Sequence, residues 1–554
     1  MRSLLFLLLL LLLLPSPVYA SVFLTEFCPD TYLAGEGDEY FVLTGDGDLS
    51  GIRITDGEGS VRFPDRSSIR GEVTVAREGT AFFNVHGYAP DYEIYDTSPE
   101  IPDLIRGGDL RLRNDGDEIN VLFGTVTLQH VAWPGDVVMR EGQIHYFQSG
   151  IWDPRPLFIG QSRFSPETFE NVTVTCFVSP DCSQEAILQA ISGAEAEILA
   201  NVYEFTDTEI AWSLSGASLR GVRTEVLLEG GPVGGIAADE WYIAGILSES
   251  GVSVYQMTTT GEAHAKYRFN HAKYLVIDDR LVVITSENFK DSGFPQAGYS
   301  GNRGWGVVLF DPDLATYFSM VYDHDRTGKD IIPLSGRGEP DTVTPAPSYR
   351  VEFSPAVFSG ARVTPVLSPD TSDLVRQLIE GATSTVDIEQ AYIKNWSGGM
   401  QNPYIAAAIN ASRRGVQVRV LLDSSWYNVN GEEDNDEMAA FLNAVAEREQ
   451  IPLEARCAAL EEMGVESIHN KGVIVDGRTT LVSSINWNEF SPSFNREAGV
   501  IIEHPGVGQY YSAVFEDDWN ALPPESSGGY REKIAAAAGI IVVLLLIYIR
   551  KNRR

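Results

Sequence analysis

Basic residues and histidine are what this chain has least of. Its 554 residues carry 41 Lys and Arg against 77 Asp and Glu, for a formal net charge of −36, and only eight His. So acidic a surface repels nucleic acid and anionic membranes at low salt, which points to a salt-tolerant exterior. The His outside the repeated motif described below are scattered without the spacing of metal ligands. Cysteine is equally scarce: Cys28, Cys176, Cys182 and Cys457 make an even count that several pairings would satisfy in an oxidising compartment. Cys176 with Cys182 is the pair that would close a small loop. Long apolar runs number two. Leu4–Leu14, followed by Pro-Ser-Pro-Val-Tyr-Ala, reads as a secretory signal over residues 1–20 with cleavage after Ala20. Ile534–Ile549 is followed by the basic tail 550–554. Its length at helical rise is about 24 Å against an apolar membrane core of about 30 Å. Snorkelling by Lys533 and Arg550 and interfacial Tyr530 and Tyr548 offset the shortfall. The expectation is a C-terminal transmembrane helix over 534–549, a single-pass membrane protein whose main body lies outside the cytoplasm.

Against this scarcity, one constellation occurs twice. His271-Ala-Lys273 leads through an apolar stretch to Asp278, and His469-Asn-Lys471 leads likewise to Asp476. Asn288 and Asn486 each follow their His by 17 positions, and Arg280 and Arg478 by nine. Chance gives a His such company with odds on the order of 10⁻⁴. On a strand, residues two apart point to one face, so each imidazole stands beside an ammonium. Lys brings a fixed positive charge and donors for phosphate oxygens, Asn adds a neutral donor, and His attacks or protonates near neutral pH. Other echoes join the copies: Ser179-Pro180-Asp181 with Ser368-Pro369-Asp370, residues 220–228 with 414–422, and endings at Tyr317-Phe318…Asp323 and Val514-Phe515…Asp518-Trp519. A period near two hundred residues means a duplicated domain rather than a solenoid.

Over residues 171–522 the chain resembles the phospholipase D superfamily, whose members carry this motif twice per active site. The resemblance implies that the copies face each other across one cleft, with no metal and no cofactor. One His forms a phosphohistidine and the other protonates the leaving oxygen; by family habit His271 is the nucleophile and His469 the acid. Lys273, Lys471, Asn288 and Asn486 hold the phosphate, while Asp278 and Asp476 are scaffold at turns. The family also places a Glu downstream to orient a catalytic His. Copy two has it in Asn495-Arg496-Glu497; copy one reads Asn302-Arg303-Gly304, so one carboxylate serves two imidazoles. His264 and Lys266, just before the first motif, are either a basic lip at the substrate edge or a solvated strand edge.

Residues 21–135 read as short β-prone runs between Gly/Asp turns, including 39–44, 51–56, 79–85 and 119–123. They suggest an immunoglobulin-like β-sandwich and resemble the lamin-tail domain, which implies an adhesive or targeting module or a spacer. The expected order is then a connector (136–170), copy one (171–336), a Pro/Gly-rich linker (337–349), copy two (350–522) and a stalk (523–533) before the membrane segment. Helical patterns at Gln184–Ala194 and Asp373–Ala382, with β-rich runs at Val222–Leu228 and Val416–Leu422, make each copy an α-β-α sandwich. The function expected is a membrane-anchored, extracytoplasmic phosphodiesterase, most simply a nuclease given the company of a lamin-tail-like module. Phospholipid hydrolysis or transphosphatidylation is the alternative, and a surface adhesion protein with a degenerate site the rival. The partners are a nucleic acid or phospholipid substrate, and a membrane through the C-terminal helix.

Overall fold

Alternating apolar residues build the front of the molecule as two sheets closed on one core. The computed structural model describes residues 22–521, apart from 134–139, 149, 154, 262, 337, 340–345 and 433. Phe41, Leu43 and Val75 of one sheet meet Ile52, Ile54, Val61 and Val121 of the other. Two expectations are corrected here. Gly79–His86 is a helix, not a strand. Its first amide, Gly79 N, donates to Glu93 at 2.8 Å, and Gly87 closes it with φ 78°. Those caps, distant or downstream in sequence, outweigh the β-prone Phe-Phe-Asn-Val. The presumed connector is also part of the front: Gln143–Gln148 pairs with Phe23–Cys28 and extends that sheet.

Behind the front lies one sheet of 15 strands shared by both copies. From the copy-one edge it runs Ile331–Pro333, Ser253–Met257, Arg223–Glu229, Glu197–Val202, Lys273–Ile277, Leu281–Thr285, Gly304–Phe310 and Phe169–Ser179. It passes into copy two through Ala356–Ser368 and continues as Glu497–Glu503, Thr479–Ser483, Lys471–Val475, Thr385–Gln390, Gln417–Leu422 and Leu453–Cys457. The antiparallel pairing of Phe169–Ser179 with Ala356–Ser368 is the seam, and corresponding strands stand at corresponding distances from it. The motif strands Lys273–Ile277 and Lys471–Val475 are buried throughout, as near-continuous apolar runs covered on both faces should be.

Helices cover the sheet where caps and apolar stripes direct them. Asp207 accepts from Ile210 N to start Thr208–Leu219. Asp311-Pro312 and His504-Pro505 start the long closing helices Pro312–Arg326 and Pro505–Asn520 in the same way, with the proline at the first turn, where its missing N–H costs nothing. Helices appear at Ser183–Ser192 and Asp373–Glu380 and strands at Arg223–Glu229 and Gln417–Leu422, within two residues of the runs read from the sequence.

The membrane expectation is corrected. Among the described residues no helix is long and apolar enough to cross a membrane, and the run 534–549 on which the transmembrane helix and single-pass location rested lies outside them. The signal segment 1–20, the stalk 523–533 and the tail 550–554 lie outside them too. The cysteine expectation is corrected as well: all four cysteines are free thiols, Cys176 and Cys182 included.

Candidate active site

Each motif histidine is placed by the other copy. His271 N donates to Arg496 O at 2.8 Å, and His469 N donates to Arg303 O at 2.9 Å. The two arginines are fully buried hubs. Arg303 bonds Asp181 of its own copy at 2.7 Å and Asp518 of copy two's closing helix at 2.9 Å. Arg496 bonds Asp370 at 3.0 Å and Asp325 of copy one's closing helix at 2.9 Å. Buried guanidinium ions demand such partners, so the Ser-Pro-Asp echoes serve as anchors for these hubs. Asp325, not Asp323, is therefore the counterpart of Asp518. Ser162, in the segment read as a connector, donates to Asp370 at 2.7 Å and joins the Arg496 hub.

Asp278 and Asp476 act away from the cleft. Asp278 accepts from the backbone of Glu195, Ala196 and Glu197. Asp476 accepts from the backbone of Thr383, Ser384 and Thr385 and from two hydroxyls. Both adopt positive φ, 56° and 53°, at the turn that ends the motif strand. They tie each motif hairpin to the start of the neighbouring strand.

In the cleft, His271 Nδ1 lies 2.7 Å from Glu497 Oε2, so copy two's carboxylate backs copy one's imidazole. Reciprocally, Glu287 Oε2 of copy one lies 3.4 Å from His469 Nδ1, an ion-pair distance too long for a full hydrogen bond. Burial would raise both carboxyl pKa values; His271 and Lys273 hold Glu497 below its ordinary value, as His469 and Lys471 hold Glu287. Burial drives His271 down to about 4 despite Glu497, and lowers His469 too, with Lys471 adding to it. Lys273 and Lys471 are wholly buried, each donating to the carbonyl of its own His. Burial lowers them to about 7 and about 8. The site therefore holds imidazoles biased to neutrality and ammonium groups whose protons are held less firmly than usual.

The copies differ around this frame. The Tyr203 ring meets His271 edge-on at 4.5 Å, while buried Ala391 follows the corresponding strand in copy two. The His469 side chain is accordingly 26% exposed against 11% for His271. Asn288 donates to Glu204 at 2.8 Å, as does Lys290 at 2.9 Å, so its amide is engaged by protein. Asn486 is buried, and its Oδ1, like that of Asn288, has no partner among the described residues.

Lys266 is not a substrate lip. It is buried, donates to the carbonyls of His324 and Asp325, and pairs with Asp330 at 3.5 Å. His264 stacks on Tyr32 of the front domain at 4.2 Å. Both residues belong to the seam between the front and copy one. Sequence reasoning missed Glu287, Arg303 and Arg496. The hubs left a signal in the matching Asn-Arg pairs at 302–303 and 495–496; Glu287 left one as a charge where copy two has Ile485. Among the described residues, the acidic or His/Cys side chains that converge closely enough for a metal ion are Glu93, Asp96 and Asp103, in the front domain.

Residues 187–326 and 375–519, just over half of the chain, match the family described as "Cardiolipin synthase, PLD-like domain". Cardiolipin synthase A of Escherichia fergusonii is 24% identical over 328 residues, covering 56% of this chain and 60% of the relative. That of Salmonella arizonae matches to the same extent. The chain thus spans about 60% of the length of these curated relatives. Among solved structures, phosphatidylserine synthase of Haemophilus influenzae Rd KW20 is similar with a TM-score of 0.46 and 14% identity, over 67% of this chain and 94% of that one. Nuc, a phospholipase D family member from Salmonella typhimurium, is similar with a TM-score of 0.25 and 20% identity, over 31% of this chain and 100% of that one.

Proposed function

Because this chain belongs to the phospholipase D superfamily, we propose that it cleaves phospholipid phosphodiesters through a covalent phosphohistidine and passes the phosphatidyl group to an acceptor hydroxyl. The observation that carries this reading is the exchanged backing of the two imidazoles: neither copy holds a complete His–carboxylate pair, so both copies make one site.

His271 is the nucleophile. The Glu497 contact at its Nδ1 fixes the tautomer that leaves the Nε2 lone pair free to attack phosphorus. As the N–P bond forms, the P–O bond to the leaving alcohol breaks, and His469 gives that oxygen a proton. In the second half His469 takes the proton of the acceptor hydroxyl, whose oxygen displaces His271. Lys273 and Lys471, with Asn486 and Asn288, receive the charge on the non-bridging oxygens. Asn288 does so on leaving Glu204. The entering phosphate anion raises both lysine pKa values and favours the imidazolium form of His469, so substrate supplies the charge state that chemistry needs.

The relatives' names favour phospholipid over nucleic acid and an alcohol acceptor over water, so the nuclease expectation gives way to its alternative. The full chain, in EDTA, is to be incubated with phosphatidylglycerol vesicles and, separately, with single-stranded DNA, with His271→Ala as control. The expected result is a transphosphatidylation product and free glycerol from the vesicles, absent in the variant, with DNA intact. DNA cleavage without lipid turnover would overturn the substrate reading.

A further inference from the structure

Copy one lacks the downstream carboxylate where copy two carries it, yet the place is not empty. Ser179 pairs with Gly304 and Ser368 pairs with Glu497 in the two equivalent ladders, so Gly304 and Glu497 are structural counterparts. A Cβ built on Gly304 would sit 2.0 Å from Glu287 Oε1 and 2.7 Å from its Cγ. The Glu287 carboxylate thus fills the volume that a side chain at 304 would occupy, and residue 304 is glycine because that volume is taken.

The surroundings repeat as well. In copy two, Asn495 donates to Glu497 Oε1 at 3.1 Å and Ser484 to Oε2 at 2.6 Å. In copy one, Asn302 donates to Glu287 Oε2 at 3.0 Å and Ser286 to Oε1 at 3.2 Å. Asn302 and Ser286 are the counterparts of Asn495 and Ser484 in the aligned motifs. One amide-and-hydroxyl cradle therefore receives a carboxylate in both copies, reached from different backbone positions.

We infer that Glu287 is the positioning carboxylate of His469, moved within copy one from the place Gly304 now holds. It rests on the proposed reaction for its purpose, though not for its geometry. Glu287 orients the imidazole that shuttles the proton and favours its charged form. Its longer reach, 3.4 Å against 2.7 Å, leaves His469 less firmly held than His271. That suits a group that must both give up and take back a proton in one cycle.

The test is a transplant. In the full chain, Glu287→Ala, Glu287→Gln and Glu287→Ala/Gly304→Glu are compared for turnover of bis-p-nitrophenyl phosphate against pH. Titration of the His469 ring is followed in parallel by 15N NMR. Both single variants are expected to lose roughly 10²-fold in kcat with little change in KM, and His469 to titrate lower without its anionic neighbour. The double variant is expected to recover most of the kcat and the His469 titration. Loss without recovery in a double variant that melts like the wild type would overturn the inference. So would an unchanged His469 titration in both single variants. Should the double variant fail to fold, Glu287→Gln and the NMR titration still decide. Should the wild type turn over no phosphodiester, the reaction reading falls, and the titration alone judges Glu287.

Discussion

The two halves of the site are built alike and loaded differently. Copy one presents His271 under Tyr203, tightly bonded to Glu497 and nearly closed to solvent. Copy two presents His469 with an alanine in the tyrosine's place, a looser carboxylate and more than twice the exposure. What a duplication preserved is the cradle, the buried arginine hubs and the His–Lys pairs. What differs is the surroundings of each imidazole: the ring against it, the reach of its carboxylate and its exposure. The difference teaches that equal motifs do not imply equal surroundings, because each imidazole takes its character from neighbours outside its own motif.

The sharpest way to break this comparison is to remove each histidine and ask for the intermediate. His271→Ala should abolish the covalent adduct and turnover, by about 10⁶-fold. His469→Ala should still form the adduct from a p-nitrophenyl ester, whose leaving group needs no proton, and should accumulate it. Acid-labile phosphate on the intact protein, read by mass spectrometry, checks both. Adduct in His271→Ala but not in His469→Ala would exchange the roles.

A second contrast concerns the lysines. Burial lowers Lys273 to about 7 and Lys471 to about 8, and only their protonated forms attract an anion. Affinity for vanadate should therefore fall as pH rises through that window, by more than about tenfold between roughly pH 6.5 and 9. Calorimetry should also show proton uptake on binding near pH 8. A flat profile would mean that the ammonium groups keep their protons in the free cleft.

The smallest effect separates the scaffold aspartates. Asp476 has a pKa depressed below the ordinary value: burial opposes ionisation, but the Thr385 amide and the Thr383 and Ser384 donors prevail. A depressed carboxyl stabilises the fold above its unfolded pKa of about 3.9, and that stability is lost as pH falls through the acid range. Discounted for solvent exposure, Asp476→Asn should cost roughly 1–2 kcal/mol at neutral pH. Asp278→Asn, which loses no hydroxyl partners, should cost less. Urea unfolding at neutral pH and near pH 3 checks the order and its narrowing in acid, as the unfolded carboxyl takes up its proton first.

Much of this is legible in the sequence. The His-Lys-Asp-Asn spacing repeats within short segments, where strand geometry alone puts His and Lys on one face. The helix and the strand read in each copy, at 184–194 and 222–228 and at 373–382 and 416–422, follow from apolar periodicity, which acts over a few residues. The front helix Gly79–His86 was misread because its cap comes from Glu93, a strand away. Lys266 was misread because charge suggests a surface until a helix C-terminus is packed against it to receive the ammonium.

The sequence by itself thus determined the duplicated pattern: which side chains exist in matched pairs, and at what spacing. Only the tertiary structure decided which carboxylate serves which imidazole, and that copy one supplies its own from Glu287. The physical reason is range. A motif is written in neighbours along the chain, whereas a hydrogen bond across a cleft depends on two strands brought together by the whole sheet, within a few tenths of an ångström.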